Sequence, residues 1–326
     1  MKAIVVEKPG DEDAMRIGEV PSPPAGPEDV RIRVRSTAVN RADLLQRRGF
    51  YPPPPGASEV IGLECAGEVL ATGSAVPPGY AVGDRVMALL PGGGYAEEVA
   101  VHHGSVMRVP AALDLAAAGG FPEVFLTADS NVFGFGAARR GETLLVHGGG
   151  SGVGTAAIQL AREAGLRCFV TAGSESKCRR CLELGADAAI DYNREDFAER
   201  VRELTDGGGV DVILDCIGGS YFERNVASLA IGGRLVIIGL TGGAQATIPL
   251  GLVLTRRLQV IGSTLRARTA ADKAAIVSAF LARFGEALEA GRLRVVVDRV
   301  LPLAEAPEAH RVVARSDHFG KVILAV

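Results

Sequence analysis

The chain has 326 residues, 48% of them hydrophobic, which is enough for two ordinary domains with buried cores. Forty-two glycines suit an α/β protein rich in tight turns. A net charge of −3 and a pI of about 6.0 leave no basic arm or stripe, so no nucleic-acid partner is expected.

The opening MKAIVVEKPG lacks the apolar run of a signal peptide. No uncharged apolar stretch reaches the ~18 residues of a membrane span. With five cysteines, an odd number, the expectation is a reduced, cytoplasmic protein rather than a disulfide framework. Val30–Val34 alternates apolar and charged residues and predicts a half-buried strand. Glu68–Ala71 and Asp84–Leu89 read as further strands, with Pro77-Pro78-Gly79 between them as a break. Pro52–Pro55 and Gly56 form a rigid loop, because proline donates no ladder hydrogen bond. His102 and His103, adjacent on an expected strand, are placed on opposite faces.

The texture changes near residue 122. Leu144–Val146 is a short strand leading into a glycine-rich turn, and Thr155–Ala164 reads as a helix. Strands follow at Cys168–Ala172, Ala188–Asp191, Val210–Cys216, Leu235–Gly239 and Gln259–Ile261. Helices are expected up to Leu184 and over Asp196–Leu204. Alternating strands and helices predict a doubly wound parallel sheet. Val253-Leu254 and Gln259–Ile261 together suggest an apolar sheet edge. Beyond residue 263 the chain offers one amphipathic helix, Ala271–Ala290, and short strands at Val295–Val297 and Lys321–Ala325, and is expected to rejoin the first domain. The boundaries are 1–122 with 263–326 for the β-rich domain, and 123–262 for the α/β domain.

Strand, glycine turn and helix in succession are the context a dinucleotide fingerprint requires. Pyrophosphate must approach backbone N–H groups at a helix start, where Cβ atoms would block it. Gly149-x-Ser151-x-x-Gly154 fits, with Ser151 in place of the usual middle glycine; Gly150-x-Gly152 is a rival frame. At the end of the second strand, where an NAD site carries an acid for the ribose 2′-OH, stands Gly173. Ser174 can hydrogen-bond a 2′-phosphate and Lys177 can neutralise it, provided Glu175 points away. These residues favour NADPH.

Asn40-Arg41-Ala42-Asp43, the Tyr51-Pro-Pro-Pro-Pro-Gly-Ala-Ser loop, Gly62-Leu63-Glu64-Cys65-Ala66-Gly67-Glu68-Val69 and the run His147–Gly154 resemble the zinc-independent quinone oxidoreductases. These belong to the medium-chain dehydrogenase/reductase superfamily. Asp215-Cys216-Ile217-Gly218-Gly219-Ser220-Tyr221 narrows the likeness to the tumour-suppressor-inducible branch. The resemblance implies a Rossmann domain inserted in a GroES-like catalytic domain, and a homodimer. It further implies cofactor contacts from Asn40, Ser151, Gly152, Val153, Gly154, Gly173, Ser174, Lys177, Tyr192, Cys216, Ile217, Ile238, Gly239, Leu240 and Leu265. Asn40 and Tyr51 are its expected cleft residues, and the family's tyrosine two positions beyond Asp43 is Leu45 here.

Zinc relatives need a histidine where this chain has Leu63, and a Cys-rich lobe where Leu89–Tyr95 has no cysteine, so no metal is expected. Glu64 is assigned a structural hydrogen bond. Cys178-x-x-Cys181 lacks the second pair a zinc site needs, and His147 is assigned to packing or loop support. Without a Lewis acid the substrate must already be electrophilic, a quinone or a conjugated enone. The alternatives are reduction of an enone or enoyl thioester, and an NADPH-binding protein with an RNA-binding or structural role.

Overall fold

The computed structural model describes residues 1–326. Two compact units emerge, one of Met1–Leu126 with Leu265–Val326, the other of Thr127–Thr264. The chain begins with β1 (Lys2–Val6), β2 (Met15–Glu19), β3 (Asp29–Ala38), α1 (Arg41–Arg47), β4 (Glu64–Thr72), β5 (Arg85–Leu89), β6 (Glu98–His102), β7 (Val106–Arg108), α2 (Leu115–Ala118) and α3 (Pro122–Asp129). It continues through β8 (Thr143–His147), α4 (Gly152–Ala164), β9 (Arg167–Ala172), α5 (Glu175–Leu184), β10 (Ala188–Asp191), α6 (Phe197–Leu204), β11 (Val210–Asp215), α7 (Phe222–Ser228), β12 (Leu229–Ile237), α8 (Leu250–Arg256) and β13 (Gln259–Gly262). It ends with α9 (Ala270–Glu289), β14 (Val297–Pro302), α10 (Ala306–Arg315) and β15 (Lys321–Ala325).

The first unit is built on the sheet β14-β15-β3-β4-β5-β7, with β6 also paired to β3. All its pairs are antiparallel except β14 with β15. In β3, Val30, Ile32 and Val34 face the core while Arg31, Arg33 and Arg35 turn away. The strand outruns its apolar run because Ser36 and Thr37, though buried, donate to the carbonyls of Leu115 (2.7 Å) and Glu64 (2.7 Å). Gly67 of β4 has no substitute: a Cβ there would run into the Arg33 carbonyl across the ladder. Since β3 is antiparallel to both neighbours, its end at Ala38 meets the beginnings of β15 and β4. That topology brings Asn40, Lys321 and Glu64 to one end of the sheet.

The second unit is a parallel sheet of order β10-β9-β8-β11-β12-β13. Strand order reverses beside β8, so the crevice for a ligand lies at the carboxyl ends of β8 and β11. Leu145, Phe169, Ile213 and Leu235 fill the core under α6 and α7 with Phe197, Val201 and Val226. No helix is long and apolar enough to cross a membrane.

Several expectations are corrected. Val253-Leu254 lies in helix α8, not on a strand, and only β13 forms the edge. The last strand pair begins at Val297 rather than Val295. A second helix, α10, follows α9; its buried face includes His310, which conceals the apolar stripe. β6 stops at His102, so alternation stops with it. The His102 and His103 rings stack 4.5 Å apart instead of facing opposite sides, and His102 Nδ1 accepts from the Gly104 N–H.

Candidate active site

In the second unit the glycine turn follows β8. Gly148 adopts φ 75°, a left-handed conformation that glycine tolerates. A Cβ on Gly149 would lie 2.7 Å from the Val170 side chain, and one on Gly154 would strike the Gly148 carbonyl. These contacts favour the frame Gly149-x-Ser151-x-x-Gly154. Ser151 caps α4: its hydroxyl accepts from the Gly154 N–H (3.0 Å) and its carbonyl from Thr155. The amides of Gly152 and Val153 have no acceptor within the helix, by the geometry of a first turn. They are the donors an anion would meet, at the positive end of the α4 dipole.

At the end of β9, Gly173 packs under the Tyr192 hydroxyl, which occupies the place a Cβ would take. Ser174 caps α5 by accepting from the Lys177 N–H (3.3 Å), which leaves its O–H free to donate elsewhere. Glu175 is drawn off by Arg194 (3.2 Å) and Arg179 (3.7 Å), so its carboxylate is engaged away from the cap. Cys216 and Ile217 follow β11, and Ile238, Gly239 and Leu240 follow β12, all at the same carboxyl edge. A buried chain holds these loops. Asn225 donates to Asp215 (3.1 Å), which fixes its amide so that its oxygen accepts from His147 Nε2 (2.7 Å). His147 Nδ1 then accepts from the Thr171 hydroxyl (3.1 Å), and Asp215 accepts from the Ile217 and Gly218 N–H groups. Burial lowers the His147 pKa to about 4, so it is neutral and a loop support, not an acid.

In the first unit the expected cleft residues sit in a dense polar cluster. Glu64 is fully buried and its carboxylate pairs with Lys321 Nζ at 2.8 Å. It also accepts from Asn40 Nδ2 (2.9 Å) and from the Glu123 N–H (3.0 Å). Lys321 donates to Asn40 Oδ1 (2.7 Å) and to the Val39 carbonyl (3.1 Å). An ammonium thus stands against the one acid of the Gly62-Leu63-Glu64 motif, and no group of three or more His, Cys, Asp or Glu is placed to hold a metal ion.

A relay of donors runs behind Asn40. Arg47 can only donate, so His310 Nδ1 accepts from it (3.2 Å) and Nε2–H donates to Tyr95 (3.2 Å). The Tyr95 O–H then donates to Asp43 Oδ2 (3.2 Å), which also accepts from the Asn40 N–H (2.7 Å). Arg47 is closed off by Glu12 at 2.6 Å. Burial raises Asp43 to about 7 and lowers His310 to about 3.

Tyr51 is half-buried and held from below by Arg266, which donates to its carbonyl (3.0 Å), to Gln46 Oε1 (2.7 Å) and to the Pro91 carbonyl (2.8 Å). The Arg266 guanidinium lies 5.4 Å from the Tyr51 ring centroid, and Lys273 Nζ donates to the Arg266 carbonyl (2.8 Å). Burial pushes the Tyr51 phenol above its usual value. Asn40 and Tyr51 make no hydrogen bond to each other. Lys321, Glu123, Arg266 and the Asp43–Tyr95–His310 relay were absent from the residues singled out in the sequence. One signal was present: a lysine opening an otherwise apolar strand, Lys321-Val-Ile-Leu-Ala.

Residues 26–133 match the family model of the alcohol dehydrogenase GroES-like domain, and residues 152–282 that of the zinc-binding dehydrogenases. Quinone oxidoreductase-like protein 2 of Bos taurus is 30% identical over 95% of this chain and 88% of its own. The chain belongs to the medium-chain dehydrogenase/reductase superfamily. As in that superfamily, a GroES-like domain accompanies a Rossmann sheet. A solved NAD-dependent alcohol dehydrogenase superposes with TM-score 0.87 at 34% identity, covering both chains fully. Quinone oxidoreductase of Escherichia coli, solved with NADPH, superposes with TM-score 0.88 at 26% identity, also over both whole chains. A phenolphthiocerol/phthiocerol polyketide synthase subunit of Mycobacterium tuberculosis is 32% identical over 98% of this chain, which spans only 14% of that protein's length.

Proposed function

We propose that the protein reduces quinones with NADPH as hydride donor and without a metal. The observation that carries the cofactor reading is the end of β9: no carboxylate competes for a ribose 2′ substituent, because Glu175 is tied to Arg194, while Ser174 and Lys177 remain beside Gly173. The Gly149–Gly154 cradle fits a pyrophosphate for the same steric reason, since side chains there would fill the approach. The amides of Gly152 and Val153 would hold the pyrophosphate, Ser174 and Lys177 the 2′-phosphate, and Tyr192 would flank the adenosine. Cys216, Ile217, Ile238, Gly239 and Leu240, with Leu265, are the proposed contacts of the nicotinamide half. When bound, the reduced nicotinamide supplies a hydride.

Asn40 and Tyr51 are the proposed cleft residues of the first unit, oriented by Lys321 and Arg266. The Glu64–Lys321 pair occupies the one carboxylate of the Gly62-Leu63-Glu64 motif, where a metal relative would hold its Lewis acid, so the proposed substrate is electrophilic by itself. The quinone oxidoreductase relatives support a quinone. The similarity to polyketide synthase segments favours a second reading, reduction of a conjugated enone or enoyl thioester. A homodimer paired through the exposed edge of β13 is part of the proposal. The test is steady-state oxidation of NADPH and NADH against a panel of quinones and enones. NADPH-dependent turnover of a naphthoquinone is expected. Turnover only with NADH and an alcohol would refute the proposal and favour the chemistry named for the alcohol dehydrogenase neighbour.

A further inference from the structure

Three carboxyl groups belong to the polar cluster of the first unit, and two of them are sealed from solvent. Glu64 is sealed from solvent and accepts from Lys321, Asn40 and the Glu123 N–H. Asp43, equally sealed, spends Oδ2 on the Asn40 N–H and the Tyr95 hydroxyl, and its Oδ1, without a partner, has no route to a ligand. Glu123 differs. It is the second residue of α3, only partly buried, and its carboxyl oxygens take no hydrogen bond from the protein. Its backbone is fixed on both sides, by Pro122 before it and by the bond from its N–H to Glu64 Oε2. We propose that Glu123 is the acid that delivers the proton to the substrate during reduction. The proposal rests on the reductase reading above and assigns its proton donor.

The groups facing Glu123 come from every element of the cluster. Glu64 of β4 and Asp43 of α1 oppose loss of its proton; Lys321 of β15 and Lys273 of α9 favour it. Arg266 and Tyr51 feel its charge in turn. Burial is the largest influence, and the balance raises the carboxyl to about 8. Such an acid is protonated at neutral pH and gives up its proton with little driving force against it, as general acid catalysis requires. Tyr51 faces the same charges but is pushed above the ordinary phenol range by burial, and Glu123 raises it further. It is the poorer donor and the better wall.

The step balances. When bound, reduced nicotinamide would supply the hydride for a new C–H bond at the β carbon of an enone, and the displaced π pair would move to the carbonyl oxygen. That oxygen would take the Glu123 proton to give an enol that returns to the ketone, the electron pair having come from the cofactor, and the partly buried carboxylate would regain a proton from solvent. With a quinone the same hydride and proton give the hydroquinone, but a quinol anion is stable enough to leave without help. The demand for the acid is therefore greater with an enone.

Glu123→Gln keeps the shape and removes the proton. Turnover of an α,β-unsaturated ketone is expected to fall about 10²-fold, and quinone turnover by much less. The wild-type loss of enone turnover above about pH 8 should vanish in Glu123→Gln and persist in Tyr51→Phe. Infrared titration of the cofactor-free protein supplies a reading independent of activity: a protonated-carboxyl C=O band that disappears near pH 8 and is missing in Glu123→Gln. A merely structural role would depress both substrates equally. Equal losses, an unchanged alkaline limb in Glu123→Gln, or a wild type without that band each overturn the assignment, the last even if the variant does not fold. A wild type that turns over no quinone or enone refutes the reductase reading itself.

Discussion

Replacing Lys321 by methionine removes the only cation that touches Glu64 while keeping nearly the same volume. Lys321 is 3% exposed and spends its ammonium on Glu64, Asn40 and the Val39 carbonyl. Breaking one partner of a buried ion pair costs about 3–5 kcal/mol, because the other charge is left uncompensated. Glu64 would keep two neutral donors, Asn40 Nδ2 and the Glu123 N–H, which places the loss near the lower end, about 3 kcal/mol. The assay is chemical denaturation of Lys321→Met, Glu64→Gln and the double variant, read by a probe in the first unit, since two units need not unfold together. The double variant is expected to recover about 2 kcal/mol relative to Lys321→Met alone, the coupling of residues in direct contact. If Lys321→Met costs less than about 0.5 kcal/mol, or if Glu64→Gln fails to rescue it, the pair is not the buried charge couple described.

Lys177→Ala is expected to weaken NADPH binding by about 1–3 kcal/mol and leave NADH nearly unchanged; equal weakening in calorimetry would sink the 2′-phosphate assignment. Stability should fall as pH rises from about 6.5 to 8. Asp43 and Glu123, raised to about 7 and 8, stabilise the fold below their unfolded values of 3.8 and 4.5 and lose that contribution as pH climbs through the raised ones. His147 and His310, lowered to about 4 and 3, act oppositely, but only below 6.5, so the losses stand alone above it. The net effect is about 2–3 kcal/mol, and an unfolding midpoint constant over that window contradicts the raised values. Val260, 44% exposed on the edge strand β13, is expected to become a monomerising position when changed to Asp; light scattering that finds the wild type monomeric at micromolar concentration removes the dimer.

The Rossmann sheet was legible because its strands are short apolar runs set between glycine turns and helices; β10 within it, and β15 in the sheet of the first unit, occupy the residues their patterns indicate. Helices α1, α8 and α10 were not. In α1 the inward positions include Asp43 and Arg47, so its buried face looks polar in a periodicity scan. In α8 no residue is buried, and Leu250 and Leu254 are exposed, which reads as a strand edge. The turn at Gly148–Gly154 could be located but its frame could not, since choosing it requires knowing that Val170 and the Gly148 carbonyl lie against it. The polar cluster was invisible for a simpler reason. Glu64 and Lys321 are far apart in the chain and meet only because β3 lies between β4 and β15. A sequence shows a buried lysine as an anomaly; its partner is a matter of topology.

The cluster also restricts what Asn40 can do. Its amide presents one oxygen and two hydrogens, and the orientation is not free, because Oδ1 must face the Lys321 ammonium at 2.7 Å. Both hydrogens are then committed, one to Glu64 at 2.9 Å and one to the Ala38 carbonyl at 3.3 Å. What remains is a single lone pair on Oδ1. A quinone oxygen only accepts hydrogen bonds, so Asn40 has nothing to give it. A sugar hydroxyl or a carboxamide N–H can donate, so a ligand group of that kind is what Asn40 could still accept from. The donors already spent around Asn40 thus leave it an acceptor and not a donor. A group that polarises a substrate oxygen needs a proton to share and access to it: Asp43, raised to about 7, has the proton but is sealed from solvent, whereas Glu123 and Tyr51 are only partly buried.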